Sequence, residues 1–141
     1  MALEKKLNSA GQKAYQRDDK EDRSLPYRNW MRTFDANGFF TDVDFIKVKN
    51  ENGEVRFTAI TEITRCDGDT AGDKYREAII DRYFVRDAQG GVMERLGELL
   101  NVPVYLVLFQ KEIKWLWIYS FAKKKWKEFT PTEWIEYLRE L

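Results

Sequence analysis

The sequence predicts an α/β sandwich, a single domain over residues 1–141 in which helices flank a mixed central sheet of about four or five strands. Segments of helical period alternate with two hairpin-like pairs of apolar, β-branched runs, in the order helices, hairpin, helix, hairpin, helix. Residues 102–109 form a near-continuous apolar run, as a strand covered on both faces requires. A chain of 141 residues, 43% hydrophobic and 15% aromatic, is large enough to bury one core without disulfides or structural metal.

Residues 1–25 read as a helical, partly frayed amino-terminal extension, with Leu3, Leu7, Ala10, Ala14 and Tyr15 at helical spacing among charges that become dense from Arg17 to Arg23. This stretch holds no apolar run of the kind a secretory signal or membrane span needs. Pro26 resets the chain, and Tyr27, Trp30, Met31 and Phe34 fall on one face of a short helix that also carries Arg28 and Arg32. Two strands are expected over 39–49 and 55–65, with Asn52-Gly53 between them as a strong hairpin signal. After a loop over 66–73, Tyr75, Ala78, Ile79, Arg82 and Tyr83 continue a helix toward Gly90-Gly91, and Val92, Leu96, Leu99 and Leu100 resume it.

The apolar run 102–109, with Pro103 at its start, fits a central strand, and 113–121 reads as its hairpin neighbour. In that neighbour Trp115, Trp117 and Tyr119 share one face and Leu116 and Ile118 the other, so core packing accounts for them. Lys123 to Lys125 form a basic turn, 126–129 a short edge strand, and Thr130-Pro131-Thr132-Glu133 a capping box that opens a last helix.

Composition restricts the chemistry. Lys plus Arg and Asp plus Glu are 24 each, so no global field draws the protein to nucleic acid or lipid. Histidine is absent, which excludes Ser-His-Asp and Cys-His catalysis and histidine-bound transition metals. The lone Cys66 forms neither an internal disulfide nor a thiolate cluster, and a soluble, cytoplasmic protein without membrane contact is expected.

The most informative text is Phe40-Thr41-Asp42-Val43-Asp44-Phe45-Ile46 followed by Ala59-Ile60-Thr61-Glu62-Ile63-Thr64. It sets carboxylates inside two apolar strands, where desolvation costs several kcal/mol unless a cation compensates. A shared Mg²⁺ or Mn²⁺ is such a cation, and it supports phosphodiester chemistry without histidine. A salt bridge from Glu62 to Arg28, Arg32 or Lys74 is the structural alternative. For Asp42 and Asp44 the alternative is an exposed strand end.

Register decides which carboxylates meet. A strict two-residue turn at Asn52-Gly53 sets Glu62 opposite Val43 and leaves Asp42 and Asp44 on the other face. A three-residue loop with Gly53 left-handed sets Asp42 opposite Glu62 and Asp44 diagonally beside it. Shared metal binding is expected to require the second geometry.

On these residues the chain resembles the PD-(D/E)XK nuclease superfamily, loosely, over roughly 27–121. Asp44 matches the Asp of the family's second core strand, and Glu62 the Glu of its Glu-x-Lys. The position of the family's Lys holds Thr64, which can orient a water by hydrogen bonding but cannot offset charge. Arg65 is adjacent and points to the other face of a regular strand. The resemblance implies a restriction-endonuclease-like fold and hydrolysis of DNA, branched or single-stranded. It further implies a metal site of Asp42, Asp44 and Glu62, water positioning by Thr64, and, by family analogy, a homodimer. Gln89 resembles a helix Gln of some family branches, although an exposed helix position is the reading preferred here.

Other candidates have plainer readings. Asp67-Gly68-Asp69-Thr70-Ala71-Gly72-Asp73 begins like a calcium loop but lacks the fifth and twelfth ligands, and reads as a loop. Lys123, Lys124, Lys125 and Lys127, interleaved with Trp126, could hold a phosphate backbone with the indole stacked on a base, or could shield an edge strand. Arg28 and Arg32 are candidate phosphate contacts. A nuclease-like nucleic-acid-binding or protein-interaction module without catalysis is the alternative function.

Overall fold

A computed structural model of the chain describes residues 23–33 and 41–141. The expected extension over 1–25 lies almost wholly outside the described residues, as does the start of the first expected strand. The chain divides into two compact units: 1–41 with 50–54, and Asp42–Lys49 with Val55–Leu141. In the first, Pro26 opens the helix α1 (Leu25–Met31), which buries none of its residues. Tyr27 and Trp30 are exposed, with ring centroids 5.7 Å apart.

The second unit carries the sheet. Its five strands, β1 (Phe45–Glu51), β2 (Glu54–Cys66), β3 (Val104–Gln110), β4 (Leu116–Ser120) and β5 (Lys125–Phe129), lie in the order 1-2-3-4-5. β2 and β3 run parallel, while β3 with β4 and β4 with β5 are antiparallel, so the sheet is mixed as expected. The parallel pair needs a long crossover. Helix α2 (Asp73–Asp81), a π-helical turn (Arg82–Arg86) and helix α3 (Gln89–Leu100) supply it.

The break between α2 and α3 falls at Asp87-Ala88, not at the glycine pair, which is inside α3. Asp87 is extended, and its carboxylate accepts the Gln89 N–H at 3.0 Å, which satisfies a donor of the new helix. Gly90 is required for close approach: a Cβ there would lie 2.7 Å from both Phe84 Cδ1 and the Tyr83 carbonyl.

Alternation along β2 and β3 divides the core into two layers. Ile60, Val104 and Leu106 face Ile79, Tyr83 and Met93 of the crossover. Ala59, Tyr105 and Val107 face the other way, with Leu116, Ile118 and Phe129, toward Trp134 of helix α4 (Pro131–Glu140). The anticipated split of β4 holds, since Leu116 and Ile118 pack on the α4 side and Tyr119 and Trp117 on the crossover side. The expected capping box opens α4, with Thr130 and Glu133 bonded reciprocally. Cys66 is a buried free thiol at the end of β2.

Candidate functional site

The first hairpin has the strict two-residue turn: β1 ends at Glu51, β2 begins at Glu54, and Asn52 and Gly53 have φ of 55° and 82°. Two left-handed central residues make a type I′ turn. Lys47 and Thr58, partners in that register, are bonded: Lys47 Nζ donates to Thr58 Oγ1 at 3.2 Å, and the Thr58 hydroxyl donates to the Lys47 carbonyl at 3.4 Å.

This register was expected to separate Asp44 from Glu62, and it does not. Asp44 lies in a bend just before β1, outside the regular ladder, so strand alternation does not fix its direction. Its Oδ2 accepts the Ile63 N–H at 2.9 Å, and its own N–H donates to Glu62 Oε1 at 3.4 Å. The expectation that shared metal binding needs a three-residue loop is thereby corrected.

Glu62 is only 4% exposed, on the crossover side of β2. Its Oε1 also accepts from Gln89 Nε2 at 3.1 Å, and the same amide donates to the Asp42 carbonyl at 3.0 Å. Gln89, at the first position of α3, thus ties the strand to the segment before β1, and the exposed-position reading is overturned. Burial, then the neighbouring Asp44 charge, pushes the Glu62 carboxyl from 4.5 up to about 7. The phenol of Tyr83, buried on this side, is raised by burial and by both carboxylates, against the opposing pull of Arg82.

Among the described residues no Lys or Arg forms an ion pair with Asp44 or Glu62, so the salt bridge weighed against the metal site is not made. Nor, among those residues, is any group of three His, Cys, Asp or Glu side chains placed to hold a metal ion. Asp42 therefore does not join Asp44 and Glu62 in a triple cluster. Its main-chain oxygen, at the Gln89 amide, is what reaches the site. The carboxylate pair remains: one oxygen of each is engaged by N–H donors, and the two carboxyl groups are close enough to hydrogen-bond one another when one of them holds a proton.

Thr64 follows two residues after Glu62, half-buried on the same face of β2. Arg65 points away and pairs with Asp67 at 2.8 Å. Residues 67–72 of the 67–73 segment form a loop, Asp73 opens α2, and Asp69 offers its carbonyl to Trp115 Nε1 at 2.8 Å.

The basic cluster is not part of this site. Glu62, Leu106, Tyr119 and Trp126 form one transverse row across β2 to β5. Trp126 is therefore roughly 14 Å from Glu62, at about 4.8 Å per strand. Its ring packs on Tyr119 at 5.4 Å between centroids and is partly buried against the core. Lys127 lies on the opposite, α4 face, with Nζ 5.0 Å over the Phe129 ring, and Lys125 shares that face by alternation. Lys123 and Lys124 occupy the turn before edge strand β5, which fits the shielding role. Arg28 and Arg32 belong to the other compact unit, with Arg32 Nη1 donating to Asn29 Oδ1 at 3.4 Å.

Among the described residues, no helix is long and apolar enough to cross a membrane. No family model matches the chain, and no match was found among curated proteins or solved structures.

Proposed function

We propose that the chain is a divergent PD-(D/E)XK-like nuclease domain that hydrolyses DNA phosphodiester bonds with Mg²⁺ or Mn²⁺. The observation that carries this reading is the meeting of two carboxylates, Asp44 and the buried Glu62, with no cationic side chain paired to either among the described residues. Uncompensated carboxylates in low dielectric favour either a retained proton or a bound cation.

The donor set fits a hard divalent ion. Mg²⁺ is commonly held by one or two carboxylates with water completing the shell, and Asp44 and Glu62 would supply two adjacent carboxylates, the ion replacing the proton they otherwise share. When bound, the ion would supply polarisation of the phosphoryl oxygen and a water made acidic enough to attack. The chain's own residues prepare for it. The Ile63 N–H fixes the Asp44 carboxylate, the Gln89 amide fixes Glu62, and Thr64 is the hydroxyl on the same face that would orient water.

The purified protein should nick plasmid or branched DNA in Mg²⁺ or Mn²⁺. Glu62→Ala should abolish nicking, and Glu62→Gln should lose calorimetrically measured Mn²⁺ binding, with the fold retained. Undiminished cleavage by Glu62→Ala overturns the assignment. A specific observation supports a second reading: Thr64 supplies no positive charge where the family has Lys. Salt-dependent DNA binding with no metal-stimulated nicking would establish that non-catalytic reading in place of the first.

A further inference from the structure

The hairpin that delivers Asp44 also carries groups the carboxylate site does not use. The Lys47–Thr58 bonds place Lys47 on the face of β2 that Thr58, Ile60 and Glu62 share. Alternation along β1 then puts Phe45 and Lys49 on that same face. From Asp44 outward the order is Asp44, Phe45, Lys47, Lys49, with side chains about 6.7 Å apart along the strand. Phe45 is 41% exposed although it adjoins the site. Among the described residues, neither Lys47 nor Lys49 is in an ion pair. Burial, then the charge of Lys49, lowers the Lys47 pKa, so the two ammonium groups feel each other. Toward the turn the next residue on this face is Glu51, which ends the strip at Lys49.

An exposed aromatic ring followed by two neighbouring cations is the arrangement that stacks a base and neutralises successive phosphates of a single strand. We infer that Phe45, Lys47 and Lys49 form a single-stranded nucleic-acid track on β1 that leads to the Asp44–Glu62 pair. The inference rests on the proposed nuclease reading for its destination, and its binding chemistry can be tested without it. The cations expected to do this work, Lys123 to Lys127, are on the β4–β5 turn and the opposite sheet face.

The test is fluorescence anisotropy of the full chain with a labelled oligothymidylate in EDTA, over a range of salt. On a single strand each phosphate contact contributes a salt slope of about 0.7, which at 0.1 M salt is roughly fivefold in affinity. Lys49→Gln should weaken binding about fivefold and flatten the slope by about 0.7, and Lys49→Arg should restore both. Phe45→Leu should weaken binding severalfold with the slope unchanged. Lys123→Gln with Lys125→Gln should have less effect than Lys49→Gln alone. Unchanged affinity and slope in Lys49→Gln, or competition by polyglutamate as effective as by the oligonucleotide, overturns the track. Because the Lys49 side chain makes no hydrogen bond or ion pair among the described residues, its replacement should leave the melting temperature unchanged. Lysine-dependent binding without metal-dependent cleavage would refute the nuclease reading while leaving the track intact. Cleavage with lysine-independent binding would do the reverse.

Discussion

Replacing Glu62 by Gln separates the cost of its buried charge from the rest of the fold. In the folded chain the carboxyl is pushed up to about 7 from 4.5, first by burial and then by Asp44. The folded state therefore binds the Glu62 proton more tightly than the unfolded state does. The sign follows from linkage: this site does not penalise folding below about pH 4.5, and as pH rises through about 7 the native state progressively loses stability relative to the unfolded chain. At about 1.4 kcal/mol per pH unit, the difference between the two values amounts to about 3 kcal/mol at pH 8. A Gln side chain has the same shape, can still accept from the Gln89 amide, and carries no charge at any pH. In EDTA, urea unfolding followed by tryptophan fluorescence should find Glu62→Gln more stable than the parent at pH 8, by up to about 3 kcal/mol, with the gap closing toward pH 4.5. Parallel stability curves for the two proteins across this range would refute the claim that the Glu62 charge is buried without compensation.

Three further expectations concern the scaffold. Gly97→Ala should destabilise by about 1–3 kcal/mol in the same assay, because its Cβ would run into Val104 Cγ2 and lie 3.1 Å from the Val102 carbonyl. Gly91→Ala, with nothing within 4 Å of the added atom, should instead stabilise by roughly 0.5–1 kcal/mol through helix propensity. Thr130→Ala removes the side-chain acceptor of the capping box and should cost about 1 kcal/mol, read as a lower urea midpoint.

Short-range signals in this sequence translated faithfully into structure. Asn52-Gly53 turned where two left-handed residues were needed, Thr130-Pro131-Thr132-Glu133 capped a helix, and the apolar run 102–109 supplied most of the strand Val104–Gln110 at the centre of the sheet. Each of these depends on a few adjacent residues. The candidate site does not. The acidic positions are visible as charges within apolar text, but strand alternation does not predict the relation of Asp44 to Glu62, because Asp44 stands in a bend outside the strand. For Gln89 no local pattern shows that an amide at the start of a helix reaches a strand 27 positions earlier. The lysines at 123–127 were adjacent in sequence, yet pleating sent Lys127 and Trp126 to opposite faces. Lys47 and Lys49, two apart on one strand, form no such cluster in the sequence.

The Gln89 amide has a consequence for how the molecule is made. It bridges Glu62 and the Asp42 carbonyl across 27 and 47 positions of chain, and it does so from the first residue of a helix that leads into a parallel strand. Parallel pairing closes long loops before it is rewarded, which makes it slow to form. Until the crossover docks, the carboxylates can stay hydrated and need neither amide nor cation. Their burial is thus expected late in folding, after β3 has emerged and the crossover has docked on the sheet.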